Sequence, residues 1–243
     1  MKDTLQNIIQ YTAGLGNIDL IKITGTDTET QIAAIAEDKS VVITGTLANP
    51  HPEFIGVFGM PNLVKLKTIL GFDEYDATSI ITLTRKDRDG VSTPDTIHFA
   101  TKAGDFVNDY RLMAKSIIEE KVKSFVFKGA GWNVEFEPSV ASILRLKKQS
   151  QANSEENTFV TKTENGDLKI YFGDISTHSG NFVFHAGVTG VLTKSFQWPV
   201  TVVSNILSLP GDKIFKISDQ GAAEIVVNSG MATYRYLLPA QTK

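Results

Sequence analysis

The strongest constraint on this sequence is its punctuation. Runs of β-branched residues, each too short to form a helix, are cut by turn residues and, at four places, by short segments with helical spacing. Residues 18–47, IDLIKITGTDTETQIAAIAEDKSVVITGTL, read as strands separated by polar turns at 25–28 and 37–39. EFIGVFG at 53–59 is a further strand, and 79–101 holds two more around a turn at 86–90. Strand character restarts in SFVFKGAGWNVEF at 124–136. It returns in TFVTKT, LKIYFGD and NFVFHAG, with Asn165-Gly166 as a tight hairpin turn, and ends in DKIFKIS, GAAEIVVN and ATYRYLLP. Short polar connections of this kind join antiparallel neighbours.

The helix candidates divide these runs evenly. The first starts at a cap on Asp3 or Thr4 and runs to about Gly14, with Leu5, Ile8, Ile9 and Thr12 on one face and Gln6, Asn7 and Gln10 on the other. The second is opened by Pro61 and closed by Gly71. Its seam is Leu63, Leu66, Ile69 and Leu70, and Lys65 and Lys67 lie at the two margins of its polar face. The third, PSVASILRLKKQ at 138–149, is capped by Ser139 and is predicted to bury Val140, Ile143 and Leu144, leaving Arg145 and Lys148 opposite. The fourth, from Pro199 to about Leu209, has a neutral polar face of Thr201, Ser204, Asn205 and Ser208. The segment 108–123 lacks strand alternation and is expected to belong to a connector at about 105–120. An α+β chain of two similar halves follows, 1–120 including the connector and 121–243, each with two helices against antiparallel sheets.

Composition narrows the chemistry. A net charge of −3 excludes a wholly basic nucleic-acid coat, so any contact with DNA must use a local positive face. The absence of cysteine removes disulfides, thiolate catalysis and cysteine-ligated metals, and fits an intracellular chain. No run has the length of a signal peptide or membrane span, so neither export nor a membrane partner is expected. His51, His98, His178 and His185 are scattered, and none shares a helical face with another. Asp73, Glu74 and Asp76, and Asp87 with Asp89 about a glycine, have the character of turns rather than of a magnesium site. No nucleophile elbow, phosphate loop or dinucleotide fingerprint occurs. No catalytic residue, metal or cofactor is expected.

Three stretches carry a resemblance: KDTLQNIIQYTAG at the start, FIGVFGMPNLVKLKTILG, and the ending LPGDKIFKISDQGAAEIVVNSGMATYRYLL. Together they resemble the DNA sliding clamps, most closely those of T-even-type phages, within the wider proliferating-cell-nuclear-antigen and bacterial beta-clamp fold family. The likeness spans nearly the whole chain, although 85–131 matches in architecture more than in residues. It implies the DNA-clamp fold and a homotrimeric ring around duplex DNA, with helices lining the hole. It also implies a processivity factor that serves a DNA polymerase and a clamp loader in the cytoplasm, the host cell's if the chain is phage-encoded. A sliding ring needs positive charge toward phosphates without base readout. Lys65, Lys67, Arg145 and Lys148 supply it, with Lys147 and Lys2 as further cations, whereas the first and fourth helices show no basic face. By position under the connector and beside the C-terminal tail, the resemblance makes Leu112, Met113, Pro239 and Ala240 the partner-binding residues. The rival reading is a β-rich virion or interaction protein that encircles no DNA, for which four regularly placed helices have no use.

Overall fold

The computed structural model describes residues 1–88, 90–122, 129–176 and 178–241; the first part of the strand expected at 124–136 lies outside them. The chain divides into two compact units, Met1–Phe125 with Ser229–Tyr234, and Val126–Asn228 with Arg235–Lys243.

The first unit opens with α1 (Lys2–Tyr11), followed by β1 (Leu20–Gly25), β2 (Thr30–Ile35) and β3 (Val42–Leu47). β4 (Gly56–Pro61) then leads into α2 (Leu63–Leu70), which precedes β5 (Ile80–Arg88), β6 (Val91–Ala100), β7 (Val107–Arg111) and α3 (Lys115–Lys121). β4, β1, β2 and β3 are neighbours in that order and antiparallel throughout, and β5, β6 and β7 form a second antiparallel set. In the second unit β8 (Val134–Phe136) leads into α4 (Val140–Ala152), then β9 (Thr158–Glu164), β10 (Asp167–Gly173) and β11 (Ser179–His185). β12 (Phe196–Pro199) leads into α5 (Val200–Ser208), then β13 (Asp212–Ser218), β14 (Ala222–Asn228) and β15 (Ala232–Pro239), of which Ala232–Tyr234 belong to the first unit. Strand order here is β12, β9, β10, β11 in one set and β8, β13, β14, β15 in the other.

A helix followed by three strands therefore occurs four times. The strand that precedes a helix pairs with the set that follows the other helix: β4 lies on β1, β12 on β9 and β8 on β13. The Asn165-Gly166 hairpin forms as its sequence requires, both residues having positive φ of 53° and 82°.

Local chemistry sets the helix starts, and three differ from the sequence expectation. Met1, not Asp3 or Thr4, occupies the N-cap of α1, leaving Asp3 in the first turn where the helix dipole favours it. Pro61 ends β4, and α2 is capped by Asn62, which takes the left-handed conformation and accepts the Lys65 amide at 3.1 Å. Pro199 likewise ends β12 and caps α5. Ser139 caps α4 as expected, accepting the Ser142 amide at 3.1 Å.

Two expected faces need correction. Asn7, assigned to the polar side of α1, is buried and accepts the Tyr234 hydroxyl at 2.9 Å, while Tyr234 stacks on Tyr11 with centroids 4.8 Å apart. Burial pushes the Tyr234 phenol well above its ordinary pKa, so it remains a donor. In α4 the predicted seam is rotated: Leu146 is fully buried, whereas Val140 and Leu144 are 74% and 52% exposed. Ile143, which keeps its expected inward place, and the polar Ser142, Gln149, Ser150 and Asn153 complete the inward face around Leu146. A count of apolar residues cannot find a seam built largely from serine, glutamine and asparagine.

The segment expected to be too irregular for a strand contains one. β7 pairs with β6 from Ala100–Val107 to Thr96–Arg111, and Tyr110 is buried between exposed Asp109 and Arg111. Its alternation is real, but the polar inward Asn108 hides it.

Leu146→Ala should cost about 2–5 kcal/mol in urea denaturation, as large-to-small changes at buried leucines do. Leu144→Ala should stay within about 0.5 kcal/mol of the parent. Equal losses would restore the sequence-based seam.

Candidate nucleic-acid interface

The outer faces of α2 and α4 are the basic surfaces of the helices. On α2 the inward stripe of Leu63, Leu66, Ile69 and Leu70 is 5% exposed or less, which forces Val64, Lys65, Lys67 and Thr68 outward. Val64 lies along the middle of that face, 65% exposed, with a lysine on either side. α4 repeats the arrangement. Val140, Leu144 and Lys148 run along its outward line, flanked by Arg145 and Lys147. The rotation of the seam thus keeps Arg145 and Lys148 exposed and adds Lys147 to the same outward face.

These cations differ from those on the sheets. Four sheet cations are neutralised by neighbouring carboxylates: Arg111 meets Asp95 at 2.9 Å, Lys169 meets Glu164 at 2.9 Å, Lys216 meets Glu135 at 3.4 Å and Arg235 meets Glu224 at 3.3 Å. Among the described residues, Lys65, Lys67, Arg145, Lys147 and Lys148 make no ion pair, and neither helix contains an acidic residue. Two uncompensated positive charges on α2 and three on α4, in a chain with net charge −3, give each helix a local field that attracts polyanions. Flexible side chains beside apolar ones suit phosphate contact rather than recognition of base edges. α1 and α5 offer no such face: α1 exposes Asp3, Gln6 and Gln10, and α5 exposes Thr201 and Ser208.

Lys2 stands apart from the group. It is half-buried, and its ammonium donates to the Tyr75 carbonyl, which ties it to the loop after α2. Leu112 is buried, its amide bonded to the Asp95 carbonyl at 2.9 Å, and Met113 is half-exposed in a two-way backbone bridge with Gly59. In the second unit Pro239 is exposed and Ala240 half-exposed, the Ala240 amide held by the Gly221 carbonyl at 2.9 Å.

Several of the other titratable groups have structural partners. Asp76 accepts the amide and hydroxyl of Thr78 at 2.7 and 2.8 Å; the hydroxyl is the larger influence holding its carboxyl below the ordinary range. Asp87 accepts the Gly90 amide at 3.0 Å. Both close turns. His98 bonds Asp109 at 2.8 Å, His51 stacks on Phe54 and His185 packs on Phe136. Among the described residues no three His, Cys, Asp or Glu side chains gather as metal ligands. No described helix is long and apolar enough to cross a membrane.

Because the five cations are exposed and unpaired, joint charge reversal of Lys65, Lys67, Arg145 and Lys148 should leave the circular dichroism spectrum unchanged. Stability should shift by no more than about 0.5 kcal/mol per site in thermal melts. A larger loss would mean that these side chains hold the fold.

No protein-family model matches the sequence, and no curated protein matches it. Solved structures do match over the whole chain. The A. fulgidus PCNA bound to the C-terminal region of FEN-1 has a TM-score of 0.71 at 10% identity, over 100% of this chain and 96% of that one. Proliferating Cellular Nuclear Antigen from Entamoeba histolytica gives 0.68 at 11% identity, over 99% and 94%. PCNA from Thermococcus kodakaraensis gives 0.63 at 12% identity, over 99% and 95%. The chain has the α+β clamp fold of these proteins, at identities where only the architecture is shared.

Proposed function

We propose that this chain is a sliding clamp, a processivity factor without chemistry of its own. Three copies close around duplex DNA and tether a DNA polymerase. The observation that carries the reading is the set of five unpaired cations on α2 and α4, in a fold shared with PCNA. Such a face holds phosphates without register, and the ring, not affinity, keeps the protein on DNA. Each protomer contributes two clamp domains, 1–120 and 121–243. A clamp loader opens the ring, and the setting is the cytoplasm, that of the host for a chain of T-even-like phage type. In A. fulgidus PCNA the bound partner is the C-terminal region of FEN-1. By that likeness, Leu112, Met113, Pro239 and Ala240 are assigned here to partner peptides.

Backbone pairing supports a specific way of closing the ring. Three of the six sheet edges among the described residues are already covered: β4 by the Met113 bridge, β12 by the Gln197–Gln241 bridge, and β5 by the Glu53 carboxylate, which accepts the Leu83 amide at 3.1 Å. β8 is three residues long. β7 and β11 are edges of ordinary length without such cover among the described residues, and edges of that kind pair with another chain. One edge in each domain gives a head-to-tail contact that can close on itself.

Light scattering at micromolar concentration should give about 80 kDa, three times the 26.6 kDa chain. Proline at Asp109 or Val183 should reduce that mass to one chain while leaving the circular dichroism spectrum near the parent's. A parent protein that is monomeric and yields no ring on crosslinking would rule the assembly out.

Retention on DNA should be topological. Protein bound to linear duplex, then trapped by bulky blocks at both ends, should survive a high-salt wash that strips it from open-ended duplex. The slope of log affinity against log salt should flatten by about 0.9 for each phosphate contact removed by the fourfold charge reversal. Equal loss from blocked and open DNA would sink the clamp, and an unchanged slope would sink the choice of helices.

A further inference from the structure

Lys22 is a lysine in the middle of a strand, 8% exposed. Lysines are almost never buried this far without a structural reason. On β1 it alternates with Ile21 and Ile23, both fully buried, and so projects to the opposite face. Its cross-strand partners on that face are Ala33 of β2 and Gly59 of β4. These two small residues leave a lane across the sheet beside the lysine.

The segment 113–122 lies in that lane. Met113 and Gly59 exchange backbone hydrogen bonds of 2.8 and 2.9 Å. Ile118 of α3, fully buried, fills the space above Gly59: a Cβ at Gly59 would stand 2.8 Å from the Ile118 Cδ1 and 3.0 Å from the Met113 Cβ. At the end of α3 the Lys22 ammonium donates to the Val122 carbonyl at 3.3 Å. This is the terminus where helix carbonyls lack intrahelical donors and the dipole favours a cation. α3 buries little of its own surface. Within 115–122 only Ile118 and Val122 are buried, and Ile117 is 47% exposed.

We propose that Lys22, beside Gly59, is the latch that fixes 113–122 to this face of the sheet, and a positioning residue for Leu112 and Met113. The aliphatic stem covers sheet surface while the ammonium locks the helix end, so one side chain sets both the height and the register of the segment. Its consequence for partner peptides rests on the assignment of Leu112 and Met113 above. The latch itself stands on the geometry of the first unit alone.

The test uses amide hydrogen exchange and limited trypsin digestion of the full chain. In Lys22→Met, which keeps the stem and removes the charge, the amides of Met113, Ile118 and Val122 should exchange about tenfold faster or more. Cleavage after Lys115 and Lys121 should appear. Amides pairing β1 with β2 should keep the parent's rates, and the melting temperature should hold or rise because a buried ammonium is replaced by an apolar group. Lys22→Arg should restore protection, and Gly59→Val should release the segment from the other side with the same exchange pattern. Unchanged exchange in Lys22→Met overturns the latch, and so does acceleration shared by the β1–β2 amides, which marks a general structural role. Neither result touches the ring, whose own failure is a monomeric mass.

Discussion

Each helix here must bury one narrow stripe, and that requirement decides what the molecule can show to a ligand. Helices of eight to thirteen residues, the lengths of α1, α2, α4 and α5, are marginal in water and persist because tertiary packing holds one face. Fixing Leu63, Leu66, Ile69 and Leu70 inward leaves Lys65 and Lys67 no place but the outer face of α2. Fixing Leu146 inward does the same for Arg145, Lys147 and Lys148. The positive surface is a by-product of packing, and it needs no charge network to position it.

That arrangement explains the contrast between the two kinds of surface. On the sheets, cross-strand neighbours place Lys216 between Glu135 and Glu224, and Arg235 also meets Glu224, so cation and carboxylate cancel locally. α2 and α4 carry cations with no acid one turn away. An excess of one sign on a helix face costs some stability through like-charge repulsion. Lys22 shows a third solution. It is buried, and the carbonyl end of α3 provides for its ammonium.

Where the sequence reading and the fold part company over which faces are buried, polarity was taken for exposure, or its lack for burial. Asn7 is buried because Tyr234, more than two hundred residues away along the chain, supplies its hydrogen bond. Leu144 is exposed because Ser142, Ser150 and Asn153 pack around Leu146 in its stead. β7 escaped notice because its inward positions include Asn108, whose amide donates to the Tyr75 hydroxyl at 2.7 Å. For Asn7 and Asn108 a partner distant in the chain satisfies the polar group, and no local pattern contains that partner.

Outside 105–121, the sequence alone determined the order of elements, and with it the Asn165-Gly166 hairpin, the Ser139 cap and the seam of α2. Each depends on residues within one turn or one strand pair of one another, where backbone geometry and side-chain period suffice. It also determined which helices bear cations. Tertiary structure alone decided the rotation of α4, the capture of Lys2 by the Tyr75 carbonyl, the burial of Lys22 and the strand at 107–111. All of these turn on which distant backbone or side chain arrives to complete a hydrogen bond or cover a face, and contacts of that range are made only when the sheets close.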